Sequence, residues 1–187
     1  MPSLRGVDIN TIHVAGHIYM LEATGDVAGN IAVSAGPDGI LLVDTQWAPL
    51  ADKIREALRK ISSKEIQYII NTHHHTDHTH GNRILGESAT IISHINATKR
   101  LADSPRPSRP DITFEEKMSL YFNGEKIDLL HFPHGHTDND LVVFFRESNV
   151  IHLGDLWNSG IASFPTVDLS SGGSVTGMLQ NISRLIK

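Results

Sequence analysis

The sequence predicts a single α/β domain, over residues 1–187, with a mixed and largely antiparallel β-sheet. Short apolar runs that are typical of buried strands alternate along the chain with segments of helical periodicity. Hydrophobic residues make up 40% of the sequence and charged residues 20%, a composition typical of a protein that forms its own core. Two tight-turn signals, at residues 36–39 and at Asn123-Gly124, each join two apolar runs.

The first half of the chain predicts a hairpin followed by alternating helices and strands. Residues 30–35 and 40–43 flank the Gly-Pro-Asp-Gly turn and form the hairpin. From Leu50 to Ile61 the apolar residues fall on one helical stripe, and Pro49 suits a first helical turn. Further along the chain, the predicted elements are strands at 66–70 and 90–93, a short helix at 96–102 and a proline-rich loop at 103–111.

The second half predicts antiparallel sheet and a closing helix. Residues 113–122 and 126–132 flank Asn123-Gly124 and form one predicted hairpin, and residues 141–145 and 150–153 form another. From Gly173 onwards the apolar residues again have helical spacing, and Ser171 or Ser174 is the expected N-cap.

Composition limits the possible partners and cofactors. With 16 basic and 21 acidic residues the net charge is −5, which argues against a nucleic-acid partner. No stretch approaches the roughly 20 apolar residues of a membrane helix, and residues 1–10 lack the apolar run of a signal peptide. We therefore expect a soluble chain without a membrane partner; its compartment stays open, since an export signal can be removed. The sequence has no cysteine and 12 histidines, so any bound metal must be held by imidazole and carboxylate groups.

One histidine-rich segment directly follows the predicted strand at 66–70. In an extended segment alternate residues share a side, so His73 and His75 are expected to face one ion while His74 points away. Asp77 and His78 follow a required change of direction and can reach a second position, as in metal pairs about 3.5–4 Å apart. A solvated histidine run is the alternative interpretation. The internal position of the segment, behind a buried type of strand, favours a metal site.

Two further potential ligands also follow predicted strands. His136 comes after the strand at 126–132, and Asp155 comes after the strand at 150–153. Each is a weak signal alone, because Gly-His-Thr and Gly-Asp are common turn sequences. Three strand ends that offer metal-binding side chains favour a single site.

These motifs resemble those of the metallo-β-lactamase superfamily. Its Thr-His-x-His-x-Asp-His signature matches residues 72–78, and its later Gly-His-Thr and Gly-Asp motifs match residues 135–137 and 154–155. The resemblance implies an αβ/βα sandwich with the active site along one edge of two packed sheets, and a mostly structural role for Asp44. It also implies that His73, His75 and His136 hold a first metal, that Asp77 and His78 hold a second, and that Asp155 bridges both.

The sequence also departs from this family. Members supply another second-site histidine after a helix like the one from Gly173, and no such residue occurs before Lys187. We therefore expect a C-terminally truncated domain without the last strand and helix, a weakly held second metal, and self-association through an exposed sheet edge. Asp155 replaces the cysteine of the best-known dizinc subgroup, which excludes that subgroup. His74, His80 and His134 match no ligand position and are expected to be solvated or to support ligands.

The resemblance and the ligand chemistry together predict a metal-dependent hydrolase. Three imidazoles and a carboxylate leave an open coordination position, where a metal-bound hydroxide forms near neutral pH. We expect zinc in two sites, with iron or manganese as alternatives, and Asp77 as both a ligand and the catalytic residue that orients the nucleophile. The expected substrate is a small molecule with an ester, lactone, thioester or β-lactam bond. Alternatives are a mononuclear iron sulfur-dioxygenase-like oxidoreductase and a metal-binding fragment without catalysis.

Substrate specificity is expected to depend on three loops. These are residues 25–30, residues 103–111 with Arg106 and Arg109, and residues 157–166. Trp47 and Trp157 are candidates to line the mouth of the site, although packing in the core or at the rim is the more ordinary role of a tryptophan.

Overall fold

The protein forms two packed β-sheets with helices on both outer faces. The computed structural model describes residues 3–25, 27, 29–104, 108–158 and 166–186. The strands are β1 (Ile9–Ala15), β2 (Ile18–Ala23), β3 (Asn30–Gly36), β4 (Gly39–Val43), β5 (Ile66–Ile70), β6 (Thr90–His94), β7 (Ile112–Phe114), β8 (Lys117–Phe122), β9 (Glu125–His131), β10 (Leu141–Phe145) and β11 (Val150–His152). The helices are α1 (Ala51–Ile61), α2 (Thr76–Thr79), α3 (Asn82–Leu85), α4 (Ile95–Arg100) and α5 (Val175–Leu185).

The first sheet is mixed and the second is antiparallel. In the first sheet, β1 to β7 lie side by side in chain order; the pairs up to β3–β4 are antiparallel and those from β4–β5 onwards are parallel. In the second sheet the order is β11-β10-β9-β8, and every pair is antiparallel. The parallel pairs need crossover connections, and α1 supplies the one between β4 and β5.

Strand β4 explains how the layers arise from the sequence. Successive side chains of a strand point to opposite faces, and every residue of β4 is buried. Ile40 and Leu42 pack in a cluster that includes Leu50, Ile54 and Leu58 from the α1 side, whereas Leu41 and Val43 pack towards the second sheet. A strand with both faces covered is therefore a continuous apolar run in the sequence.

The second sheet is likewise covered on both faces. Its inner face contributes Phe122, Ile127, Leu129, Leu141, Val143 and Phe145 to the core between the sheets. On its outer face Phe132 and Val142 pack with Met178 of α5. Helix, sheet, sheet and helix thus succeed one another, and this confirms the expected αβ/βα sandwich.

Most sequence predictions of single elements are confirmed, one is wrong, and the elements β1, β2, α2 and α3 were not predicted. The predicted strand at 113–122 is split between the two sheets: β7 pairs with β6, and β8 pairs with β9. The chain changes sheet at Glu115-Glu116, and a periodicity argument along one segment cannot detect a change of layer. Strands β1 and β2 were not predicted; for β1 the reason is that five of its seven residues are exposed and give no continuous apolar signal. In the described residues no helix has the length and apolar character needed to cross a membrane.

The core between the sheets gives a direct test of this architecture. Phe145 is fully buried there, so Phe145→Ala is expected to lower the free energy of unfolding by about 3–5 kcal/mol. Urea unfolding followed by circular dichroism measures the change. Tyr121 of β8 is 75% exposed, and Tyr121→Ala is the matched aromatic control, expected to change stability by less than about 0.5 kcal/mol. Equal effects of the two substitutions would contradict the two-sheet core.

Candidate metal centre

The predicted ligands meet where strands of both sheets end. His73, His75, Asp77 and His78 follow β5 of the first sheet, in the segment that leads into α2. His136 follows β9 and Asp155 follows β11, both of the second sheet. The site therefore lies at one edge of the sandwich and is assembled from three separate segments of the chain, of which the first and last contain His73 and Asp155.

The three histidines predicted for a first metal are in mutual contact. The ring centroids of His73 and His75 are 4.7 Å apart, and each ring is 4.8 Å from that of His136. Nδ1 of His75 lies 2.9 Å from Nε2 of His136. One nitrogen from each of the three rings lies within 4.8 Å of the other two, a spacing that one cation can bridge.

A second group combines His73, His78 and Asp155. Oδ1 of Asp155 lies 3.1 Å from Nε2 of His78, while its Oδ2 lies 3.5 Å from Nε2 of His136 and 4.0 Å from Nε2 of His73. The two oxygens of Asp155 thus face the two groups of histidines, which is the arrangement expected of a bridging carboxylate. Oδ2 of Asp77 is 3.7 Å from Nε2 of His78. The assignment of these histidines and aspartates as metal ligands stays a prediction.

The side chains fit a divalent cation by an independent criterion. Nε2 of His73 and Nε2 of His78 are both buried; that of His73 has no hydrogen-bond partner among the residues that the structure describes, and that of His78 faces Oδ1 of Asp155 at 3.1 Å. An unpartnered buried polar group costs about 1–3 kcal/mol, so native proteins rarely retain one without a use. Both nitrogens point into the group of imidazoles and carboxylates, which is the donor set that zinc, iron and manganese accept.

The opposite nitrogen of each ring is held by an oxygen atom, which sets the ring orientation. Such outer partners fix the tautomer and aim the free nitrogen at the metal. The four pairs are His73 Nδ1 with Thr72 Oγ1 at 3.1 Å, His75 Nε2 with Asp168 Oδ2 at 2.9 Å, His78 Nδ1 with Asp44 Oδ2 at 2.7 Å, and His136 Nδ1 with the Thr166 carbonyl oxygen at 2.6 Å.

Asp44 connects the end of β4 to the metal centre. Its carboxylate accepts hydrogen bonds from the backbone N–H and the hydroxyl of Thr72 at 2.8 and 2.7 Å, and it also contacts His78. Asp44 is 1% exposed, so these contacts replace its lost hydration. Its role extends beyond the mostly structural one that the family resemblance implies, because it orients a predicted ligand.

The electrostatics of the centre separate neutral from charged groups. Burial, followed by the nearby charges of His78, His136 and His75, holds the pKa of His73 well below its usual value. Burial alone would lower the pKa of His78, but the Asp44 and Asp155 carboxylates raise it well above the ordinary value. Burial would raise the pKa of Asp155, yet His78 lowers it to about 2. Asp155 is therefore ionised, as a metal ligand must be.

Three further histidines of these segments have contacts outside the two groups, although the buried Nδ1 of His80 has no hydrogen-bond partner among the described residues. His74 is half-buried, and its two ring nitrogens contact the side chains of Asn139 and Ser171 at 3.0 and 3.3 Å. Burial and then His75 lower its pKa to about 4. His80 packs edge-on against Trp47, and Nδ1 of His134 contacts the Gly172 carbonyl oxygen at 3.1 Å. His74 also forms a third group of potential ligands with His75 and Asp168, so the expectation that these histidines do not bind metal stays a prediction.

Parts of the loops predicted to set substrate specificity lie outside the described residues. Arg106 and residues 159–165 lie outside the described residues. Arg109 donates from Nε to the Ser104 carbonyl oxygen, so this contact lies within its own loop. Trp157 is 56% exposed beside the centre, whereas Trp47 packs against the core on the α1 side.

Sequence reasoning missed Asp168. Its Oδ1 caps the short helical turn Leu169–Ser171 by accepting from Ser170 and Ser171, and its Oδ2 contacts His75. The Ser170 and Ser171 hydrogen bonds, followed by His75, hold the pKa of Asp168 below its usual range. The sequence Asp168-Leu-Ser-Ser indicates a helix cap. No feature of the neighbouring sequence relates Asp168 to His75, which lies 93 residues earlier.

We expect Asp168→Asn to weaken metal binding by about 10- to 100-fold. The asparagine oxygen keeps the cap, but its NH₂ group cannot accept from Nε2 of His75, so the ring proton moves to Nδ1, the nitrogen that faces His136. Competition with a chromophoric chelator measures the affinity, and thermal unfolding of the metal-free variant checks the cap. Asp103→Asn removes an exposed carboxylate as the control. Unchanged affinity in Asp168→Asn would show that Asp168 does not position His75.

The chain resembles known proteins over most of its length. A family model described as the metallo-beta-lactamase superfamily matches residues 24–179. The chain is 25% identical over 185 residues to the 2,4-dinitroanisole O-demethylase subunit alpha of Nocardioides sp. (strain JS1661), which is 95% of this chain and 54% of that protein. It is 33% identical over 96 residues to hydroxyacylglutathione hydrolase of Prochlorococcus marinus (strain MIT 9312), 51% of this chain and 37% of that protein. The chain thus spans about half or less of the length of these relatives.

Solved structures share the fold. The structure of a metallo-beta-lactamase from Pontibacter korlensis superposes with a TM-score of 0.75 at 16% identity, covering 95% of this chain and 85% of that one. At this identity the likeness concerns the arrangement of sheets and helices alone.

Proposed function

The chain belongs to the metallo-β-lactamase superfamily, and from that premise we propose that it is a metal-dependent hydrolase of small molecules with an ester, lactone, thioester or β-lactam bond. One observation carries the proposal: four imidazoles and one carboxylate form two groups that share His73, and the buried Nε2 of His73 lacks a hydrogen-bond partner among the described residues. A donor set of this kind, without thiolate, is suited to zinc, iron or manganese, and we propose zinc.

The chain's own residues have distinct proposed roles. His73, His75 and His136 would hold a first cation; His78, Asp77 and Asp155 would hold a second. A bound cation would supply Lewis acidity and a water molecule that loses a proton near neutral pH. Asp77, whose carboxylate is 28% exposed, faces the site from the start of α2 and can accept a hydrogen bond from the attacking water at Oδ2. Asp44 and Asp168 position His78 and His75.

The exposed side of the centre supports catalysis over a purely structural site. Asp77 and Asp155 are 28% and 35% exposed, while His73, His78 and His136 are buried. A structural site closes all its positions with protein ligands, whereas a catalytic site keeps one open to solvent or substrate. The names of the relatives include a hydrolase, hydroxyacylglutathione hydrolase, and this also favours hydrolysis as the reaction.

The test combines metal analysis with a substrate panel. Protein is purified, stripped with chelator and reloaded with zinc, iron or manganese, and the metal per chain is measured by mass spectrometry. Each form is assayed with an ester, a lactone, a thioester and a chromogenic β-lactam. We expect hydrolysis of at least one substrate with zinc, and its loss on stripping. One iron per chain with oxygen uptake and no hydrolysis would overturn the proposal in favour of an oxidoreductase; bound metal with no turnover at all would favour a non-catalytic fragment.

A further inference from the structure

A groove of about 600 Å³ extends from the metal centre along the first sheet. Its walls come from β2, β3 and the segment from β11 to Trp157, and His78 and Asp155 line its inner end. Ligand pockets of small molecules are commonly about 300–1,000 Å³, so the groove has room for a substrate. Because its inner end is part of the metal centre, whatever lies in the groove places a bond beside the proposed reacting position.

Apolar side chains form one part of the groove wall, beside polar ones such as Asn30 and Asn158. Met20, Val27, Ile151 and Trp157 line it, and the last two are 45% and 56% exposed. An apolar ligand that covers these exposed groups would gain binding free energy, at about 25 cal/mol for each Å² of apolar surface buried.

The groove has no lysine and no arginine among its described lining residues. Its carboxylates are Glu22 and Asp155, and His78 lies at the inner end as a proposed metal ligand. His152 also lines it, and its Nε2 donates to the Asn30 carbonyl oxygen at 3.1 Å, which leaves that nitrogen unavailable to a ligand.

The sequence extends this observation past the described residues. Both walls come from stretches that contain no lysine and no arginine at all, residues 6–52 and residues 147–183. The absence of a fixed positive charge is thus a property of both walls in the sequence itself.

We propose that the groove selects substrates whose acyl portion is an uncharged aliphatic chain and rejects those with an anionic group in that portion. This rests on the proposed hydrolase function and names its substrate class. An aliphatic chain would cover the apolar wall, and each buried methylene would contribute about threefold to fourfold in kcat/KM. A carboxylate in the same place would lose hydration without a cationic partner and would lie near Glu22, which disfavours its binding.

Two matched esters test the inference with the zinc-loaded protein. p-Nitrophenyl hexanoate and the mono-p-nitrophenyl ester of adipic acid have acyl chains of equal carbon number and differ by a terminal carboxylate. In both, water adds to the acyl carbon, the bond to the phenolic oxygen breaks, and p-nitrophenolate and the carboxylic acid are the products. We expect kcat/KM to be at least about tenfold higher for the hexanoate. The acetate, butyrate and hexanoate series is expected to rise with length.

A charge introduced into the groove tests the location. Ile151→Lys places an ammonium group on the groove wall and is expected to reduce the hexanoate-to-adipate ratio about tenfold, through attraction of the carboxylate. Tyr121→Lys introduces the same charge on the distant strand β8, where the side chain is 75% exposed, and is expected to leave the ratio unchanged.

The outcomes separate this inference from the proposed function. The inference is overturned if the adipate ester is cleaved as fast as the hexanoate ester. It is also overturned if Ile151→Lys leaves the hexanoate-to-adipate ratio of kcat/KM unchanged. In both cases the hydrolase proposal stands. If neither ester is cleaved, the full substrate panel decides the hydrolase proposal and binding decides the inference: hexananilide and the monoanilide of adipic acid are titrated against tryptophan fluorescence. Tighter binding of the uncharged anilide, lost in Ile151→Lys, then supports the groove; equal binding overturns it.

Discussion

Replacing Asp77 by alanine is expected to lower kcat by about 10³-fold while most of the metal stays bound. The three histidines of the first group do not depend on Asp77, so their cation is retained. The substitution removes the proposed hydrogen-bond acceptor of the attacking water. It also removes one proposed ligand of the second cation. Positioned proton acceptors contribute about 10²- to 10⁴-fold to catalysis, and the expected loss lies within this range.

Steady-state kinetics and metal analysis of the same preparation, at saturating zinc, measure this effect. Asp52→Ala, which removes an exposed carboxylate of α1, is the matched control and is expected to retain full activity. A variant Asp77→Ala that keeps its metal and hydrolyses substrate at the original rate would exclude a catalytic role for Asp77.

Replacing His73 by alanine is expected to reduce bound metal to below about one-tenth of the original and to abolish hydrolysis. His73 belongs to both groups of potential ligands, and its buried Nε2 has no hydrogen-bond partner among the described residues. Loss of a direct ligand has a larger effect than loss of an outer partner such as Asp168, for which about 10- to 100-fold is expected. Calorimetric titration of stripped protein with zinc measures the affinity directly.

The control for His73 is another histidine of the motifs. His134 is exposed, has a backbone φ of 55° and contacts a backbone carbonyl oxygen, so it is not expected to bind metal. His134→Asn keeps a residue that tolerates this backbone region and is expected to bind zinc as the unaltered protein does. If His73→Ala binds zinc as tightly as His134→Asn does, the proposed centre is wrong.

Local patterns predicted the elements that bury a whole face. The apolar runs of β4, β5 and β10 and the apolar stripe of α1 were evident, because both faces of these strands and one face of this helix are covered. β1 was missed because it lies at the edge of its sheet with most side chains in solvent. The error at residues 113–122 has another cause, since the two strands obey the same periodicity and differ in the sheet that they join.

The ligand candidates could be predicted because they follow strand ends, and strand ends at one edge of a sandwich converge. His73, His136 and Asp155 were named from this argument and from the family resemblance, and the structure brings all three to one place. Which of their nitrogens faces the centre could not be predicted, because Thr72, Asp44, Asp168 and the Thr166 carbonyl oxygen set the ring orientations.

The sequence by itself determined the chemistry available to this protein: imidazole and carboxylate donors, no thiolate, and two long stretches without a fixed positive charge. The tertiary structure alone decided which groups act together, as when Asp168 meets His75 across 93 residues and Ile151 lies on the groove that ends at His78. Composition and periodicity report what a residue is and which neighbours it has along the chain. Contacts across the sandwich depend on how two sheets pack, and that packing is a property of the whole core.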